Sequence, residues 1–236
     1  MLLRALVWQH RSSASRRFLS HGTAELYSGV TSRGLTNREI EIKLRVADAP
    51  LILSKLRRLR AASRGRVFER NTLYDAPDFA LRRAGCILRL RTETPAARGR
   101  AKGKAATLFS KRARAVLAMK APVLSASRRY KERLERESPI GNSNGWLAIL
   151  RSVGFHEVFR YEKYRTAFRV RRLEVDLDET PIGTFLELEG APDNIDRMAR
   201  TLGYSPQDYI RATYGELYAN HCRRRAHFPR DMVFPA

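Results

Sequence analysis

Short runs along the chain alternate apolar and charged residues with a period of two, as strands do when their two faces meet different surroundings. In Glu39-Ile40-Glu41-Ile42-Lys43-Leu44-Arg45-Val46 the charged residues share one face, and Ile40, Ile42, Leu44 and Val46 share the other. Leu88-Arg89-Leu90-Arg91 puts two guanidinium groups on one face, and Leu117-Ala118-Met119-Lys120 puts Lys120 opposite Leu117 and Met119. Arg133, Glu135 and Glu137 share a face, and Lys163, Arg165 and Arg169 share one opposite Tyr164, Phe168 and Val170. Glu174, Asp176 and Asp178 oppose Leu173, Val175 and Leu177, while Glu187 and Glu189 oppose Leu186 and Leu188.

Helical signals interrupt these strands. Asp48-Ala49-Pro50 is a cap followed by proline in the first turn, leading into Leu51, Leu53, Leu56 and Leu59. Trp146 to Val153 and Ile195 to Leu202 each stop at a glycine, Gly154 and Gly203. Ser205-Pro206-Gln207-Asp208 predicts a helix from Ser205 to His221, with a capping-box acid at Asp208.

A sheet facing solvent has no reason to sort its charges by strand, yet here some strands are mostly basic and others mostly acidic. Closing the sheet with its charged faces inward brings the two kinds together across one lumen, while helices cover the apolar faces outside. Such a lumen must be wet and must hold counterions, because burying like charges unpaired is costly. Hard carboxylate oxygens suit Mg²⁺ or Mn²⁺, and Arg and Lys neutralise phosphate oxygens. A triphosphate with a divalent ion satisfies both sets at once.

Length and composition are consistent with this picture. The 236 residues, 43% of them hydrophobic, suffice for one sizeable core. The net charge of +22 implies a polyanionic ligand or partner. More than half of it lies in three segments, residues 1–36, 93–116 and 219–236, which read as a basic N-terminal tail, a basic insertion between strands and a basic C-terminal tail. The Arg- and Ser-rich start reads either as a disordered tail or as an organellar transit peptide, so the expected location is cytoplasmic, or mitochondrial if residues 1–36 are a targeting segment. Cys86 and Cys222 form no metal or disulfide spacing, nor do the five histidines form a ligand set. No run approaches the roughly 20 apolar residues of a membrane span, so no membrane is expected as a partner. Tyr74-Asp75 and Phe79 read as structural, at a strand end and turn.

Six ordered motifs resemble the CYTH superfamily of triphosphate tunnel metalloenzymes, which includes thiamine triphosphatases, inorganic triphosphatases and class IV adenylate cyclases. They are Glu39 to Lys43 as E-x-E-x-K, NTLYDAP from Asn71, LRLR from Leu88, LAMKAP from Leu117, RLERE from Arg133, and LEVDLDETPIGTFLELEG from Leu173. The resemblance spans about residues 37–218. It implies an α+β fold, a closed antiparallel barrel of about eight strands with helices outside. It also implies that Glu39, Glu41, Asp176, Glu187 and Glu189 coordinate metal, and that Lys43, Arg89, Arg91, Lys120, Arg133 and Arg165 bind the triphosphate, with Asp178 assisting. Glu39, Glu41 and Lys43 form the implied catalytic group. Arg211 is a residue that could reach a phosphate at one tunnel mouth.

The leading functional expectation is Mg²⁺- or Mn²⁺-dependent hydrolysis of a small triphosphate (tripolyphosphate, thiamine triphosphate or a nucleoside triphosphate) by attack on the terminal phosphoryl group. Two readings stay open beside it. One is cyclisation of ATP to cyclic AMP and pyrophosphate, which uses the same triphosphate grip. The other is a non-catalytic polyanion or RNA binder, against which the acidic strands count, since such a protein has no use for inward carboxylates without a metal.

Overall fold

The computed structural model describes residues 37–96, 113–123, 127–225 and 230–235. Eight strands close into an antiparallel barrel: β1 (Asn37–Val46), β2 (Ala62–Asp75), β3 (Ile87–Pro95), β4 (Arg114–Pro122), β5 (Lys131–Ile140), β6 (His156–Val170), β7 (Leu173–Thr180) and β8 (Gly183–Glu189). Around the barrel they run β1-β5-β4-β3-β2-β6-β7-β8. The long β2–β6 pair carries register shifts at Ser63/Gly65 and Leu73/Tyr74, and Gly65 takes the left-handed φ of 106° that the first of these needs. Bulges of this kind bend a strand, which helps a sheet this long to curl and close.

Helices cover the outer apolar faces. α1 (Ala49–Arg58) starts at Asp48, whose side chain accepts a hydrogen bond from the Leu51 N–H at 2.8 Å. α4 (Pro192–Leu202) buries Ile195, Met198, Ala199 and Leu202, an i, i+3, i+4, i+7 stripe, and ends at Gly203 with φ 94°. Both pack on the outward residues of β1, β7 and β8, where Ile42, Leu44, Val175, Leu186 and Leu188 are fully buried. Each such side chain contributes roughly 1.5–3 kcal/mol. α3 (Ser143–Ser152) is capped by Asn142 and packs Leu150 against Tyr74, Leu90 and Ile140. A single helical turn, α2 (Ala80–Arg83), precedes β3. Asp75 fixes that turn by accepting from the N–H groups of Ala76, Leu81 and Arg82, the structural role expected of it. Among the described residues no helix is long and apolar enough to cross a membrane.

Three boundaries differ from the sequence expectations. The helix expected from Ser205 begins at Tyr214, as α5 (Tyr214–Arg225). Ser205 and Asp208 do pair, but they hold only a 3-10 turn, after which Ile210 exchanges backbone hydrogen bonds with Lys43 at 2.8 and 2.9 Å. β5 reaches only as far as Glu41 along β1, so the backbone of Lys43 needs this partner. Thr213 and Glu216 form the capping box that starts α5.

The C-terminal segment from Ala219 is not simply a tail. Cys222 is buried in α5, and residues 230–235 return to β6, where Met232 is fully buried and bridges to Arg160 and Glu162 through its backbone. The basic insertion is shorter than residues 93–116, because β3 continues to Pro95, β4 begins at Arg114, and Glu93 pairs with Arg114. The rest of it, 97–112, lies outside the described residues, as does the N-terminal segment read as a tail or transit peptide.

Candidate active site

Strand parity sets most of the inward positions. Along β1 the outward Ile42 and Leu44 are pulled into the helix-covered core, which turns Glu39, Glu41 and Lys43 into the lumen. The register then aligns the neighbours: Lys43 opposite Glu187, Glu41 opposite Glu189 and Lys131, Arg165 opposite Asp178, and Lys120 opposite Glu135. The resulting cavity of about 630 Å³ is lined by Glu39, Glu41, Lys43, Arg89, Arg91, Lys120, Arg165, Asp176, Glu187 and Glu189 among others. One end of it is filled by α5, whose Tyr214 and Tyr218 pack with Phe185, Tyr161 and Met232.

Two centres of charge divide the lumen. At the first, ligand oxygens of Glu39, Glu41 and Glu189 lie within 4.8 Å of one another. Lys131 and Lys43 both donate to Glu41 Oε1, at 2.6 and 2.7 Å, and Lys120 donates to Glu39 Oε2 at 2.6 Å. Glu189 has no salt bridge among the described residues. Burial, followed by the neighbouring Glu41, pushes Glu39 up to about 7, while burial, Glu39 and Glu41 push Glu189 up to about 8. Burial also acts on Glu41, but Lys131, Lys43 and Lys120 hold it well below the ordinary carboxylate range. Burial lowers Lys131, whose ammonium also meets Lys43 and Lys120. A hard divalent cation fits this set: three convergent carboxylates, one of them in no salt bridge among the described residues, supply the oxygen donors it prefers.

At the second centre Arg165 is shared among carboxylates. Its Nη1 lies 2.8 Å from Asp176, its Nε donates to Asp178 Oδ1 at 2.7 Å, and its Nη2 contacts both Asp178 and Glu187. Lys163 pairs with Asp178 at 2.8 Å and with Glu69 at 3.4 Å, and Lys43 reaches Glu187 at 3.1 Å. One guanidinium cannot neutralise so many anions, and burial pushes Asp176 up to about 7 despite it. Glu187 is held well below its ordinary range, because Lys43, Lys163 and Arg165 outweigh its burial. Tyr214 Oη donates to Asp178 Oδ2 at 2.7 Å.

The cationic wall completes the site. Arg89 contacts Glu135 at 3.3 Å and Glu137 at 3.0 Å, and Arg91 contacts Glu137 at 3.1 Å and Glu93 at 3.0 Å. β3 and β4 stay in unbroken register from Ile87 with Lys120 to Glu93 with Arg114, despite the insertion between them. These cations pair with lumen carboxylates, so phosphate oxygens would replace protein anions rather than meet bare charges.

Strand parity thus brings together Glu39, Glu41, Lys43, Arg89, Arg91, Lys120, Arg165, Asp176, Asp178, Glu187 and Glu189. Arg133 is placed apart: it does not line the cavity, and its Nη1 donates to the Gly85 carbonyl at 2.7 Å. Arg211 likewise lies away from the cavity, donating to the Ser127 carbonyl at 3.2 Å. Three lumen contributors escaped the sequence reading. Lys131 shares the parity of Arg133 and Glu135, but it stands at the very start of that run. Glu69, which Lys163, Arg165 and the β3 arginines hold down at about 2 against its burial, sits in a stretch where Arg66 and Arg70 interrupt the apolar face. Tyr214 comes from a helix, and no local pattern announces that its hydroxyl reaches the barrel.

The sequence profile of the CYTH domain matches residues 37–214, which spans all eight strands. The chain belongs to the CYTH family. Among solved structures it is similar to a Vibrio parahaemolyticus protein described as a candidate adenylate cyclase, at 19% identity and TM-score 0.63, covering 77% of this chain and 97% of that one. A Pyrococcus horikoshii OT3 protein shares 23% identity at TM-score 0.60, covering 78% of this chain and 99% of that one. A candidate adenylyl cyclase from Hippeastrum, described as revealing a dominant triphosphatase activity, shares 17% identity at TM-score 0.51, covering 81% of this chain and 97% of that one. These likenesses show the fold alone. No curated protein matches the chain.

Proposed function

We propose that this CYTH protein hydrolyses the terminal phosphoanhydride of a triphosphate with the help of Mg²⁺ or Mn²⁺. The observation that carries the reading is the division of one lumen into a convergent acidic cluster, Glu39, Glu41 and Glu189, and a set of buried cations beside it. A polyanion binder without a metal would gain nothing from the first.

In this reading Glu39, Glu41 and Glu189 hold the metal, and Lys43, Lys120, Arg89, Arg91 and Arg165 bind the phosphate chain. The metal, when bound, supplies Lewis-acid polarisation of a phosphoryl oxygen. Phosphate oxygens draw Arg165 away from Asp176 and Glu187, which frees Glu187 to complete the acidic cluster and Asp176 to act as a base. Water attacks the terminal phosphorus, the bond to the bridging oxygen breaks, and the leaving diphosphate takes that electron pair. Asp176, raised to about 7, can accept the proton that the water gives up.

Arg133, held on Gly85, serves in this reading to fix the turn before β3 rather than to bind phosphate. The test is phosphate release by the purified protein from tripolyphosphate, thiamine triphosphate and ATP, with each metal and with chelator. From ATP, ADP and phosphate are expected. Cyclic AMP with pyrophosphate as the main products would replace hydrolysis with cyclisation, and no phosphate from any substrate would overturn the reading.

A further inference from the structure

The cavity does not end at the phosphate-binding wall. Where Leu73 pairs with Arg89 and Asp75 with His156, its lining changes to a mouth formed by Phe79, Leu88, His156 and Phe159 with Arg82 and Arg230. Lumen and mouth together enclose about 630 Å³, within the roughly 300–1,000 Å³ typical of sites that enclose organic ligands. The aromatic side chains are held in place. Phe79 and His156 meet edge to face with ring centroids 6.1 Å apart, and Phe159 stacks on Tyr161 at 5.8 Å. Gly215, in the first turn of α5, sits so close that a Cβ there would lie 3.6 Å from the Phe159 ring.

Arg230 reaches this mouth from outside the segment that matches the CYTH profile. The strand-like C-terminal segment anchors it. Met232 is fully buried on β6, Asp231 accepts from the Arg160 N–H at 2.9 Å, and the Arg230 guanidinium donates to the Glu157 carbonyl oxygen. The carboxylates nearby are engaged elsewhere: Asp75 caps the helical turn, and Glu157 faces Arg151 at 3.6 Å. The mouth therefore offers aromatic faces and guanidinium groups. That combination suits a flat, uncharged heterocycle, which can stack on both, whereas a cationic ring such as thiazolium would gain from the aromatic faces but meet like charge at the guanidinium groups.

We propose that the substrate is a nucleoside triphosphate whose base lies in this mouth, and that Phe79 and Arg230 are specificity-determining residues. The proposal rests on the lumen being a triphosphate site and adds which organic group the triphosphate carries. Inorganic tripolyphosphate would fill only the inner part of the cavity.

The experiment compares kcat/KM for ATP, thiamine triphosphate and tripolyphosphate in the wild type, Phe79→Ala and Arg230→Ala, with Mg²⁺ present. Calorimetric binding of the same three ligands in Mg²⁺ runs in parallel. The wild type should prefer ATP, and the ratio of ATP to tripolyphosphate should fall about tenfold in each variant, the scale of one lost stacking contact. Arg230 is exposed, so its variant tests the mouth even if Phe79→Ala folds poorly. A wild-type preference for thiamine triphosphate or tripolyphosphate, or an unchanged ratio in Arg230→Ala, overturns the assignment of the mouth while leaving the lumen reading intact. Failure of all three ligands to bind overturns the lumen reading, and the proposal falls with it.

Discussion

At pH 8, replacing Glu189 by glutamine should make the metal-free protein more stable and its response to Mg²⁺ weaker. The two effects have opposite signs because Glu189 is a burden without metal and a ligand with it. Its carboxyl is raised from 4.5 to about 8 by burial and by Glu39 and Glu41. A carboxyl raised on folding binds more protons in the native state between those two values, so metal-free stability falls as the pH climbs from about 4.5 through about 8. At about 1.4 kcal/mol for each pH unit, reduced for partial solvent access, the loss is roughly 2–4 kcal/mol. Metal binding must displace that proton, which by itself makes the apparent Mg²⁺ affinity at pH 6 about fiftyfold weaker than at pH 8. With Mg²⁺ at about 100 times its Kd at pH 8, the stabilisation is about 2.7 kcal/mol there and about 0.6 kcal/mol at pH 6. Thermal melts should therefore shift by about 5–10 °C at pH 8 and by about 2 °C at pH 6. An equal Mg²⁺ shift at both pH values, or an undiminished shift in Glu189→Gln, would refute the assignment of the acidic cluster.

Other substitutions test the rest of the barrel. Arg165→Met strips the shared counterion from Asp176, Asp178 and Glu187 and should cost about 3–5 kcal/mol at neutral pH. The freed carboxylates take up protons more readily, so the gap between its urea midpoint and that of the wild type should narrow as the pH falls to about 5. Tyr214→Phe removes the hydroxyl that satisfies Asp178 and should lower stability by about 1–2 kcal/mol in urea titrations, with little change in helix content by circular dichroism. Leu56→Ala opens a cavity beneath α1 where Leu56 is fully buried, and its expected cost in the same titration is about 2–5 kcal/mol.

Much of the candidate site was legible because a strand reports its two faces directly. Glu39, Glu41 and Lys43 could be assigned to one surface from spacing alone, and Glu174, Asp176 and Asp178 likewise. The reading weakened wherever that alternation was impure. Glu69 was lost between Arg66 and Arg70 because the outward face of β2 also carries charge there. Arg133 has the parity of a lumen residue, yet its long side chain turns to the Gly85 carbonyl at the barrel rim. The C-terminal segment read as basic from its arginines, although Met232 in the same stretch is fully buried. Met232-Val233-Phe234 is too short a run to show a period, so the packing site it fills was invisible.

The sequence by itself determined that charged faces alternate with apolar ones, that acidic and basic residues are segregated by strand, and that capped helices lie between them. These follow from period and local chemistry. Only the closed barrel decided which acid meets which base. It placed Arg165 among Asp176, Asp178 and Glu187, set Lys131 and Lys43 on Glu41, and left Glu189 without a salt bridge among the described residues. Those pairings depend on strand register and barrel closure between segments far apart in the chain. The same closure sets how far each carboxylate is removed from water, and hence whether it holds a proton or awaits a metal.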